Sequence, residues 1–227
     1  VKRQLGKFTN ITPRSTILIY IPCDMIIEGI TLVRLLSKIE RKYQGKIIVV
    51  LPDKVNNGLL PNHIETIYTK YSSNEIQKCN TIVEYFMNQV NKALHYGKEA
   101  NVKYVVLPYT LTDLNLFVLT SIIIDNKIPK DLGKLRWQIN NVTAVIPLHR
   151  VSKLDVMAYA YSTKILRLIP QPICQRQCGV YNAIKEWILE IDSKHSELSY
   201  SLMKSLKVFT SLERGNLPSS LKNVPET

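Results

Sequence analysis

Two hydrophobic rhythms alternate along the chain. Nearly unbroken apolar runs rich in β-branched residues occur at 16–21, 46–51, 102–107 and 142–146, with a more polar one at 64–70. Short apolar runs without polar alternation are strands covered on both faces. Between them, apolar residues recur every three or four positions, the period of a helix with one buried stripe. Ile26, Ile30, Val33 and Leu36 form the first stripe. Ile82, Phe86, Val90 and Leu94 form the second, widened by Cys79, Val83 and Met87. The pattern predicts helices over 25–44, 76–96, 114–124, 152–162, 181–191 and 196–209. Strand and helix in alternation predict an α/β fold, a Rossmann-like and mostly parallel five-stranded sheet with helices on both faces. The chain divides into a basic N-terminal segment at 1–15, the α/β domain at 16–170, a C-terminal helical appendage at 171–212 and a flexible tail at 213–227.

The first strand–turn–helix unit organises the rest, because open α/β sheets take their ligands at the mouth of such turns. A phosphate cradle needs successive backbone N–H groups and residues small enough for close approach. Here Pro22 has no N–H to give. Cys23, Met25 and Ile26 bring side chains where glycine or serine would sit, and Asp24 adds a repelling charge. The scaffold of a nucleotide site is present and its contents are missing. Further along, Thr112 or Asp113 is expected to cap the helix at 114–124. Asp113 also stands near a strand's carboxyl end, where chemistry is placed, and capping is the simpler of its two roles. Ser152 with Asp155 three positions on is a capping-box pair.

Charge changes this picture. Thirty Lys and Arg against 18 Asp and Glu give a formal net charge of +12. That balance favours a polyanionic partner, most simply nucleic acid; a merely solvated surface is the plainer alternative. The cations fall into three groups. Lys2, Arg3 and Lys7 surround Leu5 and Phe8. Lys127, Lys130, Lys134 and Arg136 lie in and just after a linker at 125–135 that reads as flexible, exposed and suited to a phosphate backbone. His149, Arg150 and Lys153 directly follow the last strand. Four scattered cysteines argue against a disulfide scaffold and for a reducing compartment. Cys174 and Cys178 supply two ligands where a tetrahedral zinc needs four, and only Cys23 and Cys79 remain to complete the set. Cys79 reads as core. No apolar run reaches membrane-spanning length and no signal-peptide pattern is visible, so a cytoplasmic protein without a membrane partner is expected.

Several of these stretches resemble the PP-loop ATP-pyrophosphatase, or adenine-nucleotide α-hydrolase-like, superfamily. Within it the chain is most similar to the cytoplasmic tRNA 2-thiolation protein 2 family (Ctu2 or Ncs2). Segment 1–7, ending Leu-Gly-Lys, resembles the stretch before the family's first strand. Segment 17–36 resembles the PP-loop strand and helix. Segment 144–159 resembles the family's strand, Arg-Pro-Leu-Arg motif and following helix. Segment 180–209 resembles its C-terminal run, with Asn182 and Glu186 ahead of a Leu-rich helix. The superfamily's loop is Ser-Gly-Gly-x-x-Ser, and Ile21, Pro22, Cys23, Asp24, Met25 and Ile26 stand in its place. Of the later motif Pro147 and Leu148 remain, with Ile146 and His149 where arginines are expected.

The resemblance implies a catalytically silent subunit of a complex that 2-thiolates the tRNA wobble uridine U34. An enzyme of this class binds ATP phosphates and adenylates a uracil carbonyl before sulfur arrives. That chemistry would belong to a Ctu1- or Ncs6-like partner in a heterodimer. ATP, and a metal or iron–sulfur centre if there is one, would sit on that partner and no cofactor on this chain. Cys174 and Cys178 would be a remnant of the family's cysteine motifs. The three basic groups would contact tRNA. Two other readings remain open: a Rossmann-like scaffold or binding protein without a tRNA role, and an active ATP-dependent thiolase, which would need a second phosphate cradle that the sequence does not offer.

Overall fold

The computed structural model describes residues 14–40, 45–53, 55, 57–61, 63–69, 81–133, 135–167 and 179–212. Six strands form one sheet: β1 (Thr16–Tyr20), β2 (Lys46–Pro52), β3 (Glu65–Thr69), β4 (Tyr104–Val106), β5 (Arg136–Ile139) and β6 (Val142–Val145). Their order across the sheet is β3-β2-β1-β4-β6-β5. All neighbours are parallel except β5, which runs antiparallel to β6 at the edge. The helices are α1 (Ile26–Glu40), α2 (Ile82–Glu99), α3 (Leu111–Ile123), α4 (Lys153–Ser162), α5 (Gly179–Lys194) and α6 (Ser196–Leu212).

Strand side chains alternate between two apolar layers, as period two requires. Ile17, Ile19, Ile47, Val49, Leu51, Val106 and Val145 face one layer, where Ile30, Val33 and Leu36 of α1 and Val156 and Ala160 of α4 complete the core. Leu18, Tyr20, Ile48, Val50, Val105 and Ala144 face the other, against Phe86, Val90 and Leu94 of α2 and Phe117 of α3. Phe86 touches Tyr109, Phe117 and Trp137 with ring centroids 5.1–5.4 Å apart. The last helix adds Met203 and Leu206 to this second layer, and Ile184 and Ile188 of α5 pack on Leu116 of α3.

Four expectations need correction. The sheet has six strands, not five. The added strand, β5, lies just after the linker at 125–135, where no strand is expected: Arg136-Trp137-Gln138-Ile139 pairs with β6 through a two-residue turn in which Asn140 takes φ 53°, a left-handed conformation that asparagine tolerates. The linker itself is packed rather than loose. Leu132 and Leu135 are buried in the core, and the Ser121 hydroxyl donates to the Lys127 carbonyl at 2.9 Å. The expected helix over 76–96 is not continuous through Thr81, which is extended and caps α2, accepting from the Glu84 N–H at 3.1 Å; residues 76–80 lie outside the described residues. Helix α3 is capped by Thr110 rather than by Thr112 or Asp113, and Asp113 is the reciprocal member of that capping box. The Ser152–Asp155 box at the start of α4 is present as expected. Cys79, Cys174, Cys178, Lys2, Arg3, Lys7 and Lys134 lie outside the described residues.

Candidate functional site

Three turns meet at the carboxyl ends of β1, β4 and β6, each leading into a helix. The turn after β1 is closed and apolar. The Ile21 N–H donates to the Val50 carbonyl at 3.0 Å, so the strand pairing continues one residue past β1, and the Met25 N–H folds back to the Pro22 carbonyl at 3.0 Å. Ile21, Cys23, Met25 and Ile26 are all buried. Helix α1 presses directly on Ile21: a Cβ on Gly29 would lie 2.5 Å from its Cγ2. Only glycine permits that approach. Asp24 does not project into the turn as a free charge, because its Oδ1 accepts from the Tyr85 hydroxyl at 2.8 Å. Cys23 is disulfide-bonded, a departure from the reduced state expected of it.

The other two turns are tied together. The Leu111 N–H donates to the Val151 carbonyl at 2.9 Å, and the Lys153 N–H donates to Thr112 Oγ1 at 2.8 Å. Across the space between all three turns stands Lys153, the first residue of α4. Its Nζ lies 2.7 Å from Glu28 Oε1 and 3.1 Å from Asp113 Oδ1. The lysine side chain is 19% exposed, those of Glu28 and Asp113 only 3% and 4%. Asp113 is held in place by its cap, accepting from the Thr110 N–H at 3.0 Å and the Thr110 hydroxyl at 2.6 Å. One ammonium thus serves two buried carboxylates, and the imbalance sets the proton affinities. Burial works against the Lys153 charge, but the charges of Asp113 and Glu28 and the hydrogen bonds to both overcome it and raise its pKa above the usual lysine range. Burial, reinforced by the Asp113 charge, raises the pKa of Glu28 despite the pull of Lys153. The second carboxylate is the one that carries the uncompensated cost.

A further polar chain joins this cluster to the C-terminal helices. Asp192 of α5 is buried and accepts from the hydroxyls of Thr112 and Ser199, while Asn115 Nδ2 donates to the Ser199 carbonyl at 3.0 Å. The Tyr200 hydroxyl donates to the Arg150 carbonyl at 2.9 Å. Glu28 is a lone acid in a largely apolar stretch and Asp192 follows Glu186 and Glu190 in α5, so neither carries a sequence signal that sets it apart.

The basic candidates separate. Lys153 is turned inward into the ion cluster. His149 is buried, and its Nδ1 donates to the Ile146 carbonyl at 2.7 Å, since a carbonyl can only accept. Lys127, Lys130, Arg136 and Arg150 are exposed. Arg136 pairs with Val145 in the sheet, at the carboxyl end of β6 from which the turn bearing Arg150 leaves. The Lys127 N–H donates to the Ser121 carbonyl near the far end of α3, about 15 Å from the helix start by helical rise. The structure thus brings Arg136 and Arg150 to one end and sets Lys127 at the other.

A nucleotide's phosphates do not fit these residues. The β1 turn is filled by Ile21 and Met25, Pro22 has no N–H, and Lys153 is already bound by two carboxylates. Among the described residues no group of three or more His, Cys, Asp or Glu is placed to hold a metal ion. No described helix is long and apolar enough to cross a membrane.

No protein-family model matches the chain, and no curated protein matches its sequence. Its fold is similar to that of a solved structure, the U34-tRNA thiolase NcsA from Methanococcus maripaludis with its 4Fe-4S cluster. The two agree with a TM-score of 0.69 over 92% of this chain and 77% of that one, at 14% sequence identity. The two share an α/β fold, a largely parallel sheet flanked by helices.

Proposed function

We propose that this chain is a non-catalytic subunit of a cytoplasmic tRNA U34 2-thiolation complex, of the tRNA 2-thiolation protein 2 kind, working beside a catalytic Ctu1- or Ncs6-like partner. The observation that carries the reading is a thiolase-like fold whose nucleotide crevice is occupied by its own side chains: Ile21 and Met25 in the turn, Glu28 and Asp113 on Lys153. ATP, and any iron–sulfur or other metal centre, belong in this reading to the partner.

The chain's contribution is a basic surface for tRNA. Its candidates are Lys127, Lys130, Arg136 and Arg150, which are exposed, with Lys2, Arg3, Lys7 and Lys134 outside the described residues. His149 and Lys153, the other two candidates, are turned inward instead. Cytoplasmic location goes with this function, and Cys23 bears on it. Persistent disulfides belong to oxidising compartments, and those in the cytosol are usually transient. Protein taken from cells with its thiols blocked at lysis should therefore contain Cys23 mainly in the reduced form.

The test is co-purification with the candidate catalytic partner, with the mass of the assembly measured, followed by tRNA titration. Phosphate contacts release counterions, so affinity should fall steeply between about 50 and 200 mM salt. In the assembled complex, Arg136→Glu/Arg150→Glu should weaken binding and flatten the salt slope, with little sequence preference. If that variant and Lys127→Glu/Lys130→Glu both assemble and retain the parent's affinity and slope, the scaffold reading replaces this one. The inward placement of His149 and Lys153 is the observation that favours that alternative.

A further inference from the structure

Helix α3 is covered on every side for most of its length. From Leu111 to Ser121 every residue is buried except the half-buried Leu119, as a helix apolar all round requires. The apolar character continues through the last turn and past it, but the cover does not. Ile122, Ile123, Ile124 and Ile128 are 41–55% exposed. They are displayed on a fixed turn. The Ser121 carbonyl accepts from the N–H groups of Asp125 and Lys127, both at 3.1 Å, and the Ser121 hydroxyl donates to the Lys127 carbonyl at 2.9 Å. Asn126 closes the turn at φ 49°. Helix α5 runs antiparallel along α3, with Asp192 at Thr112 and Ile188 and Ile184 at Leu116, so its first turn, with the exposed Val180, stands beside the end of α3. Because α3 starts at the carboxyl end of β4, this isoleucine ridge lies at the opposite end of the sheet from the crevice.

Single exposed apolar residues are ordinary, but four isoleucines gathered on one turn are not. Their uncovered area is on the order of a few hundred Å², the size at which patches on monomers are functional, and about half of the roughly 800 Å² that each side of a stable interface buries. Shape and charge choose the occupant. A second copy would set one convex helix end against another, cover little beyond the ridge itself, and bring together two chains of net charge +12. The exposed charges beside the isoleucines are Lys127 and Lys130, while Asp125 and Asp131 are half-buried. An acidic partner that wraps the ridge suits both features. We propose that the isoleucine ridge docks a partner subunit, a net-acidic protein that receives Ile122, Ile123, Ile124 and Ile128 in an apolar groove and meets Lys127 and Lys130 with acidic side chains. The inference deepens the reading of this chain as a companion subunit and rests on it for the partner's identity. Docking at this end leaves Arg136 and Arg150 for tRNA, while Lys127 and Lys130 serve the partner.

The full-length parent, Ile123→Asp/Ile128→Asp and Lys127→Glu/Lys130→Glu are each titrated with the purified candidate catalytic partner, and the mass of the assembly is measured. The isoleucine variant should bind at least about 30-fold more weakly, as loss of the apolar centre of an interface does. The lysine variant should bind about tenfold more weakly at about 50 mM salt and approach the parent at about 500 mM, because rim charges act through a screened field. Tyr68→Asp, an exposed position on the opposite edge strand β3, should bind as the parent does. Alone, the parent should sediment as a monomer. An isoleucine variant that binds as tightly as the parent, or a Tyr68→Asp chain that binds as weakly as the isoleucine variant, overturns the docking site and leaves the subunit reading standing. A parent that forms no complex overturns both. A parent dimer that the isoleucine substitutions dissolve assigns the ridge to a second copy and overturns the proposed occupant. Should the isoleucine variant melt well below the parent, the lysine variant decides: undiminished affinity at low salt overturns the proposal, and a deficit that salt erases supports it.

Discussion

Lys153 and Arg150 stand three residues apart in the same turn-and-helix segment, and the fold uses them in opposite ways. Arg150 is exposed, and its backbone carbonyl accepts from the Tyr200 hydroxyl. Lys153 is drawn inside, where two buried carboxylates compete for it. The same contrast holds between the crevice at the carboxyl end of the sheet and the outer cations Lys127, Lys130 and Arg136. A charge in water interacts weakly and is screened; a charge under protein must be matched group by group. The chain's net positive charge therefore says nothing about its crevice, where negative groups outnumber positive ones.

The largest effect that would break this contrast is Lys153→Met. It strips the cation from two buried carboxylates, and removing one side of a buried ion pair typically costs about 3–5 kcal/mol. Chemical denaturation of the parent and variant at neutral pH reads it directly. A loss as small as that of a surface lysine would mean the cluster is solvated rather than buried. Next in size is Gly29→Ala. The added methyl meets Ile21, which has no room to withdraw, and such overpacking costs about 1–3 kcal/mol even though alanine is the better helix former. Pairing it with Ile21→Ala should recover part of that loss, because the two residues share one contact.

A smaller effect sharpens the picture of the second carboxylate. The folded-state pKa of Glu28 is raised from the ordinary value of 4.5, so the folded chain holds that proton more tightly than the unfolded one. Ionising Glu28 then costs stability, progressively as pH rises from about 4.5 through the folded value. Glu28→Gln should remove this slope. Measured across pH 4.5 to neutrality, its stability relative to the parent should improve as pH rises. A relative stability that worsens over that range would show the opposite sign, with Lys153 outweighing burial. Least of all should Arg136→Glu/Arg150→Glu alter the melting temperature, since neither side chain is buried; its effect belongs to polyanion binding.

Local periodicity determined most of the architecture. The strand cores from Ile17, Ile47 and Val142, the apolar stripes of α1 and α2, the Ser152–Asp155 box and the unsuitability of Pro22 and Met25 for phosphate are properties of neighbouring residues, and the sequence determined them by itself. What it could not determine depended on residues far apart in the chain. The edge strand β5 is entered through Leu135 at φ 53°, a conformation no local pattern announces, and it is recognisable as a strand only beside β6. Glu28, Asp113 and Lys153 belong to three separate turns, and the strand order β1-β4-β6 is what makes those turns adjacent. Lysine at a helix start looks alike in sequence whether it faces water or a carboxylate. Burial and pairing are properties of the packed molecule, so tertiary structure alone decided that Lys153 and His149 turn inward while Arg150 remains outside.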